Sequence, residues 1–237
     1  MNTDVSKFAE LGYVVIKDFL TPLEHFQLNK TCEELTEDGC SLAKESGDWV
    51  LNSPHNPCKL DRAIASHDIF KRITHTNPKL LEVARSILGE QHLCTYISKF
   101  FPMIPEEGFS VDWHQDNFYI SAEPTKLISC DIFVNGADKE NGCLRVIPGS
   151  QDNLYDHVLY PDKYFLWIES ISDDDPNIVD IEMDEPFAVF FHSCLAHTCY
   201  RNTSDRYRPS LAWEYMVKGY VPESHNGHRS QDLLEII

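Results

Sequence analysis

The sequence predicts an α+β protein, with a mainly helical flank over residues 1–90 and a β core over 91–220 in one domain spanning 1–237. Three observations carry this. Up to Gly89 apolar residues recur at helical spacing, as Leu80, Leu81, Ala84, Ile87 and Leu88 do. Beyond Gly89, short β-rich runs alternate with turn clusters, the pattern of a sandwich or barrel. The chain has 237 residues, 42% hydrophobic and 24% charged. A chain of that size and composition is globular and needs no disulfide or metal staple.

Taken in order, GYVVIKDFL at 12–20 reads as a β-branched strand. Thr21-Pro22 then opens a helix that runs to about Glu37. Thr21 is its N-cap, Pro22 sits in the first turn and Glu24 takes the capping-box position. Residues 68–74 form a short helical candidate. Asn77-Pro78 starts another helix, which Gly89 stops. Strands follow at 93–101, 127–134, 143–147, 187–191 and 211–217. Turn clusters at Asn135-Gly136, Asn141-Gly142, Pro148-Gly149-Ser150 and 173–177 separate them. Residues 36–62 and 152–176 are long and polar enough to serve as lids.

Charge and cysteine usage exclude several classes. Lys plus Arg is 20 against 38 Asp plus Glu, a net charge of −18. Such a surface repels phosphate backbones and anionic membranes, so neither nucleic acid nor a bilayer is an expected partner. The apolar run 187–191 is far too short to span a membrane. The first ten residues carry Asp4 and Glu10 and no secretory core, and the eight cysteines include no CxxC pair. The cysteines are therefore expected to be reduced and the location cytoplasmic. Asp173-Asp174-Asp175 lacks the glycine and spaced oxygens of a calcium loop and reads as a solvated turn.

His114-Gln115-Asp116 is where chemistry enters. Two residues apart on an extended chain, an imidazole and a carboxylate project to one side and reach one metal ion together. A lone pair of this kind is also common as a core histidine beside a surface acid. A mononuclear iron(II) site needs a second histidine and leaves coordination positions open. Five histidines follow Asp116: His157, His192, His197, His225 and His228. His197 lies just past the run FAVFF and before a strand beginning at Arg208, with His192 its nearest competitor. In RPSLAWEYM at 208–216, Leu211, Trp213 and Tyr215 face one side and Arg208, Ser210 and Ala212 the other. Small residues beside an inward guanidinium leave room for a carboxylate held in bidentate fashion.

HQD at 114–116, NGCLRVIPGS at 141–150 and HTCYRNTSDRYR at 197–208 together resemble the phytanoyl-CoA dioxygenase family. Asn202 and Arg208 lie five and eleven positions after His197, as the family pattern has them. GYVVIKDFLT at the start is similar to the family's first strand and helix. The resemblance implies iron(II)- and 2-oxoglutarate-dependent oxygenation on a double-stranded β-helix, the jelly-roll of cupin-like proteins. It implies His114, Asp116 and His197 as iron ligands and Arg208 as the residue that binds the distal carboxylate of 2-oxoglutarate. Cys199 stands where many members have Ser. Lys99 resembles a lysine at the end of the strand 93–101, and Tyr96 and Ser98 are expected on one face of that strand, lining the pocket. A carboxylate at Asp116 favours hydroxylation, or desaturation or cyclisation, over halogenation, because halogenases of this kind put a small residue there.

Trp113, Phe118 and Tyr119 flank the metal motif and are expected in the pocket wall, with Asn117 touching substrate or a ligand carboxylate. Arg145 is expected to pair with a surface acid. Cys194 and Cys199 flank His197 without being expected as ligands. The partners implied are O2 and a small or medium organic molecule, releasing succinate and CO2. A non-catalytic jelly-roll that binds a metabolite or 2-oxo acid is the alternative, and a structural zinc site a third reading.

Overall fold

The computed structural model describes residues 5–46, 48–53, 56–106, 108–158, 167–222 and 234–236. A turn at Val5–Lys7 and α1 (Phe8–Leu11) lead through Gly12, at φ 77°, into β1 (Tyr13–Lys17). Next come α2 (Pro22–Ser46), the hairpin of β2 (Trp49–Ser53) and β3 (Asn56–Asp61), α3 (Ala63–Ser66), a wide π-type turn at Phe70–His75 and α4 (Pro78–Leu88). The remainder carries β4 (Leu93–Phe101), α5 (Asp116–Ile120), β5 (Leu127–Phe133), β6 (Leu144–Val146) and β7 (Val179–Ile181). It closes with β8 (Phe187–His192), β9 (His197–Cys199), β10 (Ser210–Val217) and β11 (Leu234–Ile236).

The strands form two antiparallel sheets. The larger has the order β1-β8-β5-β10-β4-β3-β2, with β11 also pairing β4, and the smaller has the order β7-β6-β9. Alternation along the central strands builds three layers. Ile128, Cys130, Ile132, Leu211, Trp213 and Tyr215 turn to one side, where α2, α4 and the π-type turn cover them. On the other face Phe133, Phe187, Val189 and Phe191 meet Leu144, Val146 and Ile181 of the small sheet. Two sheets facing across such a core form the jelly-roll.

The helix signals work as read. Thr21 N donates to Glu24 Oε2 at 2.8 Å and Glu24 N to Thr21 Oγ1 at 3.3 Å, a closed capping box. Asn77 Oδ1 accepts from Lys79 N and Leu80 N at the head of α4, and its amide donates to Phe19 O at 2.9 Å. Three boundaries differ from the expectation. α2 runs past Glu37 to Ser46 because Gly39 does not stop it: a Cβ there would stand 2.9 Å from Pro57, so the glycine serves close packing of helix on hairpin. Residues 36–62 are no free lid, since β3 joins β4 through Leu60↔Phe100 and Asp61↔Lys99. Thus β1, β2 and β3 of the helical flank belong to the large sheet. Residues 159–166, inside the other lid candidate, lie outside the described residues, as do His225 and His228.

His75 is fully buried against Trp213, with ring centroids 4.2 Å apart, and its Nε2 has no partner. Burial pushes its pKa down to about 4, against a bond to Phe70 O that favours the charged ring. The unfolded chain, near 6.5, takes up the proton first. Stability present above that value is therefore lost as pH falls toward 4, by about 3 kcal/mol. Denaturant midpoints measured down this range should fall less steeply in His75→Phe than in the parent. Asn77→Ala, which removes a buried cap, should lower the unfolding free energy by about 2 kcal/mol at unchanged m-value.

Candidate metal centre

His114 and His197 face each other across an isolated antiparallel bridge, in which each backbone N–H donates to the other's carbonyl at 3.0 Å. The pairing brings the two rings to 4.1 Å between centroids. Backbone carbonyls then orient the rings: Asp112 O lies 2.8 Å from His114 Nδ1 and Leu195 O lies 2.9 Å from His197 Nδ1. A carbonyl only accepts, so each ring carries a proton on Nδ1 and Nε2 is the nitrogen left to meet a metal. Both Nε2 atoms look at Asp116 Oδ1, at 3.7 and 3.8 Å.

Asp116 reaches them as its spacing requires. Gln115 is extended, at φ −121° and ψ 125°, which puts His114 and Asp116 on one side. The Gln115 side chain turns the other way and donates to Asn153 O and Cys194 O. Its backbone N–H donates to His157 Nε2 at 3.1 Å. Asp116 then opens α5, and its Oδ2 accepts from Ser129 Oγ of β5 at 2.7 Å. Burial, aided by His197, holds the His114 ring well below its usual pKa. Burial works against ionised Asp116, but the two imidazoles, Lys99 and Ser129 outweigh it and keep its pKa below the usual value. The three ligand atoms lie within 4.8 Å of one another. Two imidazoles and one ionised carboxylate on one face fit iron(II) with open positions. They do not fit structural zinc, since no fourth His, Cys, Asp or Glu joins them among the described residues.

A cavity beside the triad is lined by Lys99, Phe133, Cys199, Arg208 and other side chains. Arg208 is 2% exposed. Its Nε donates to Asn141 O at 3.3 Å, one terminal nitrogen donates to Ser210 Oγ at 2.7 Å, and its plane lies over Phe133 at 5.1 Å. Gly142, at φ 104°, keeps this place open: a Cβ would come within 3.1 Å of the other terminal nitrogen and 2.8 Å of Tyr200 O. Among the described residues Arg208 has no ion pair, so a buried guanidinium faces the cavity without a counter-charge and fits a carboxylate there. The turn 141–150 ties the motifs together. Its start holds Arg208, β6 pairs Val146 with His197, and Ser150 Oγ accepts from Ala196 N at its end.

Several pocket candidates lie elsewhere. Trp113 is not among the cavity-lining residues, because it precedes His114 on an extended chain and takes the opposite face. It packs with Ile147 and Ile168 and donates to Asp173 Oδ1 at 3.1 Å. Asn117 bonds within its own turn, to Ala122 O and N, and to Cys194 Sγ. Phe118 stacks on His157. In β4 an extra residue stands between the pairs Tyr96↔Glu214 and Lys99↔Ala212, with Ile97 at φ 43°. This bulge breaks simple alternation. Ser98 turns to the helix side and accepts from Ile64 N, while Tyr96 packs with Ile120 and Met216. Lys99 and Cys199 do line the cavity, and Tyr119 lines a second hollow that shares Lys99, His114 and Asp116. Arg145 pairs with Asp173 and Asp180. His192 Nδ1 accepts from Cys194 N and is no ligand.

Sequence reasoning missed Ser129, Asp131 and Glu214, which line the cavity too. Their signal is a polar residue at an inward-facing position of an apolar strand, in LISCDIF and SLAWEYMV. Burial, then Asp116, pushes the Asp131 carboxyl up to about 8, with Lys99 and Arg208 opposing. Burial also raises Glu214 well above its usual value. Burial alone would lower Lys99, but Glu214 and then Asp116 raise it.

The jelly-roll and a His-Asp-His set define a class, the mononuclear metal proteins of cupin-like fold. Within it, the chain belongs to the phytanoyl-CoA dioxygenase family, whose sequence model matches residues 8–210. Phytanoyl-CoA dioxygenase domain-containing protein 1 of Rattus norvegicus is 28% identical over 181 residues, 73% of this chain and 61% of its own length. Its namesake in Danio rerio is 24% identical across 90% of this chain and 89% of its own. The structure of EctD from S. alaskensis with 2-oxoglutarate and 5-hydroxyectoine is similar at TM-score 0.77 and 18% identity, over 97% of this chain and 81% of that one. The non-heme alpha ketoglutarate dependent epimerase SnoN is similar at TM-score 0.69 and 18% identity, over 97% and 93%. No helix among the described residues is long and apolar enough to cross a membrane.

Ser129→Ala should weaken iron(II) binding about tenfold, measured by anaerobic calorimetry, because Asp116 loses the bond that aims it.

Proposed function

We propose that this chain is an iron(II)- and 2-oxoglutarate-dependent dioxygenase that hydroxylates a small or medium organic metabolite. The observation that carries the reading is the pair of Nε2 atoms converging on Asp116, with Arg208 uncompensated in the same cavity. When bound, iron(II) and 2-oxoglutarate supply the oxidation by O2 that converts a C–H bond to C–OH, with succinate and CO2 released. The protein's own part is placement. His114, Asp116 and His197 would hold the ion, and the Asp116 carboxylate fills the place that a halide would need. Arg208, stiffened by Asn141, Ser210 and Phe133, grips the distal carboxylate. Cys199, its thiol kept neutral by burial, adds bulk without charge. Phe101 and Met103 keep that end dry, and Phe191 lies against the His197 ring. The hollow at Lys59, Ile97 and Tyr119 shares Lys99, His114 and Asp116 with that cavity, and the substrate is received where the two meet at the metal ligands. Seven described cysteines are free, in keeping with a cytosolic enzyme.

The test is a visible spectrum under argon. A charge-transfer band should need both iron(II) and 2-oxoglutarate and be absent in His197→Ala. Arg208→Ala should need at least about tenfold more 2-oxoglutarate, the worth of a lost charged hydrogen bond. Folded protein that gives no band would leave the non-catalytic binding module, and unchanged affinity in Arg208→Ala would remove that residue from the site.

A further inference from the structure

The floor of the cavity is a small grid on three neighbouring strands. On β10, Ala212 pairs with Lys99 of β4 on one side and Asp131 of β5 on the other, and Glu214 pairs with Ser129. Strands lie roughly 4.8 Å apart, so Lys99 and Asp131 start roughly 10 Å from each other across a methyl group. All three charged side chains line the cavity. Among the described residues none of them makes an ion pair or a hydrogen bond to another side chain. Glu214 is 3% exposed, and its Oε2 is buried without any partner. Unpartnered ionisable groups are costly in a core, and a site that holds them is built for a ligand that completes them.

Charge count says which ligand. Burial alone raises the Asp131 and Glu214 carboxyls, while a dication beside them and a cationic ligand both favour their ionised forms, the state that bears on binding. Iron(II), Arg208 and Lys99 then bring four positive charges against five from Asp116, Asp131, Glu214 and a dicarboxylate. One negative charge is left in a cavity of low dielectric, where a single charge is strongly felt. Position agrees with this. Glu214 stands opposite Ser129, which holds Asp116, so the surplus lies next to the metal carboxylate rather than at the Arg208 end.

We propose that the primary substrate carries a basic nitrogen, a protonated amine or a similar small cation, received by Glu214 and Asp131 beside the metal. This rests on the oxygenase reading above. The same pair disfavours substrates whose only polar group near the reacting carbon is neutral or anionic. The strongly acidic exterior draws a cation toward the cavity as well.

The minimal probe is n-propylamine, with n-propanol and propionate as neutral and anionic counterparts, added to the iron(II)·2-oxoglutarate protein under argon. The readouts are a shift of the charge-transfer band and of the thermal transition. The amine should perturb both at a concentration at least about tenfold below either counterpart. Glu214→Gln should keep the band and weaken the amine at least about tenfold. It should melt no lower than the parent, since Oε2 has no bond to lose. Asp131→Asn gives an independent second variant. Propanol or propionate acting as well as the amine, an amine effect untouched in both variants, or no amine effect at all would overturn the substrate class. Absence of the band in the parent would instead overturn the oxygenase reading, so the two failures are distinguishable.

Discussion

One antiparallel bridge of two residues, His114 against His197, supports everything else in the site. The two histidines come from segments more than eighty positions apart, and neither belongs to a long strand at that point. Two backbone hydrogen bonds set their spacing, and two carbonyls, Asp112 O and Leu195 O, set the rotation of their rings. Once those four bonds exist, both Nε2 atoms converge and Asp116 needs only to arrive with the right oxygen. Ser129 ensures that it does. Ligand geometry therefore derives from main-chain hydrogen bonding, the least mutable interaction a chain has.

The surrounding fold keeps that bridge in place. β6 lies between the outer strand β7 and β9, and the turn at each of its ends reaches a different functional group. Asn141 and Gly142 shape the Arg208 niche, and Ser150 fastens Ala196, the residue before His197. Gln115 performs the same service for the other ligand pair, with three hydrogen bonds to the segment 153–157. The large sheet contributes stiffness, because its opposite face is sealed by α2, α4 and the aromatic stack of His75 on Trp213.

Against this rigid frame the cavity holds an arrangement that stability alone would not select. Lys99, Asp131 and Glu214 are charged or readily charged, and they stand apart from one another. A core built only to fold would replace them with apolar groups or close them into pairs. Their retention in a well-packed sheet marks the cavity as shaped by a ligand, and it is the same trade that leaves Arg208 without a counter-ion.

The sequence by itself determined the donor types, their order and much of the secondary structure. Thr21 with Glu24, Asn77 with Pro78 and Gly89 act within a few residues, so their helix signals are complete in the local chain. The HxD spacing is local in the same way. What the tertiary structure decided is whatever depends on pairing between distant segments. The bulge beside Ile97 sends Ser98 to the helix side and Lys99 to the cavity, a choice made by the partner strand β10. Trp113 turns outward because His114 has to turn inward at the bridge. Asp131 and Glu214 look like isolated polar residues in apolar strands until β5 and β10 are laid side by side. Periodicity describes one strand at a time, and register between strands is set only when the core is packed.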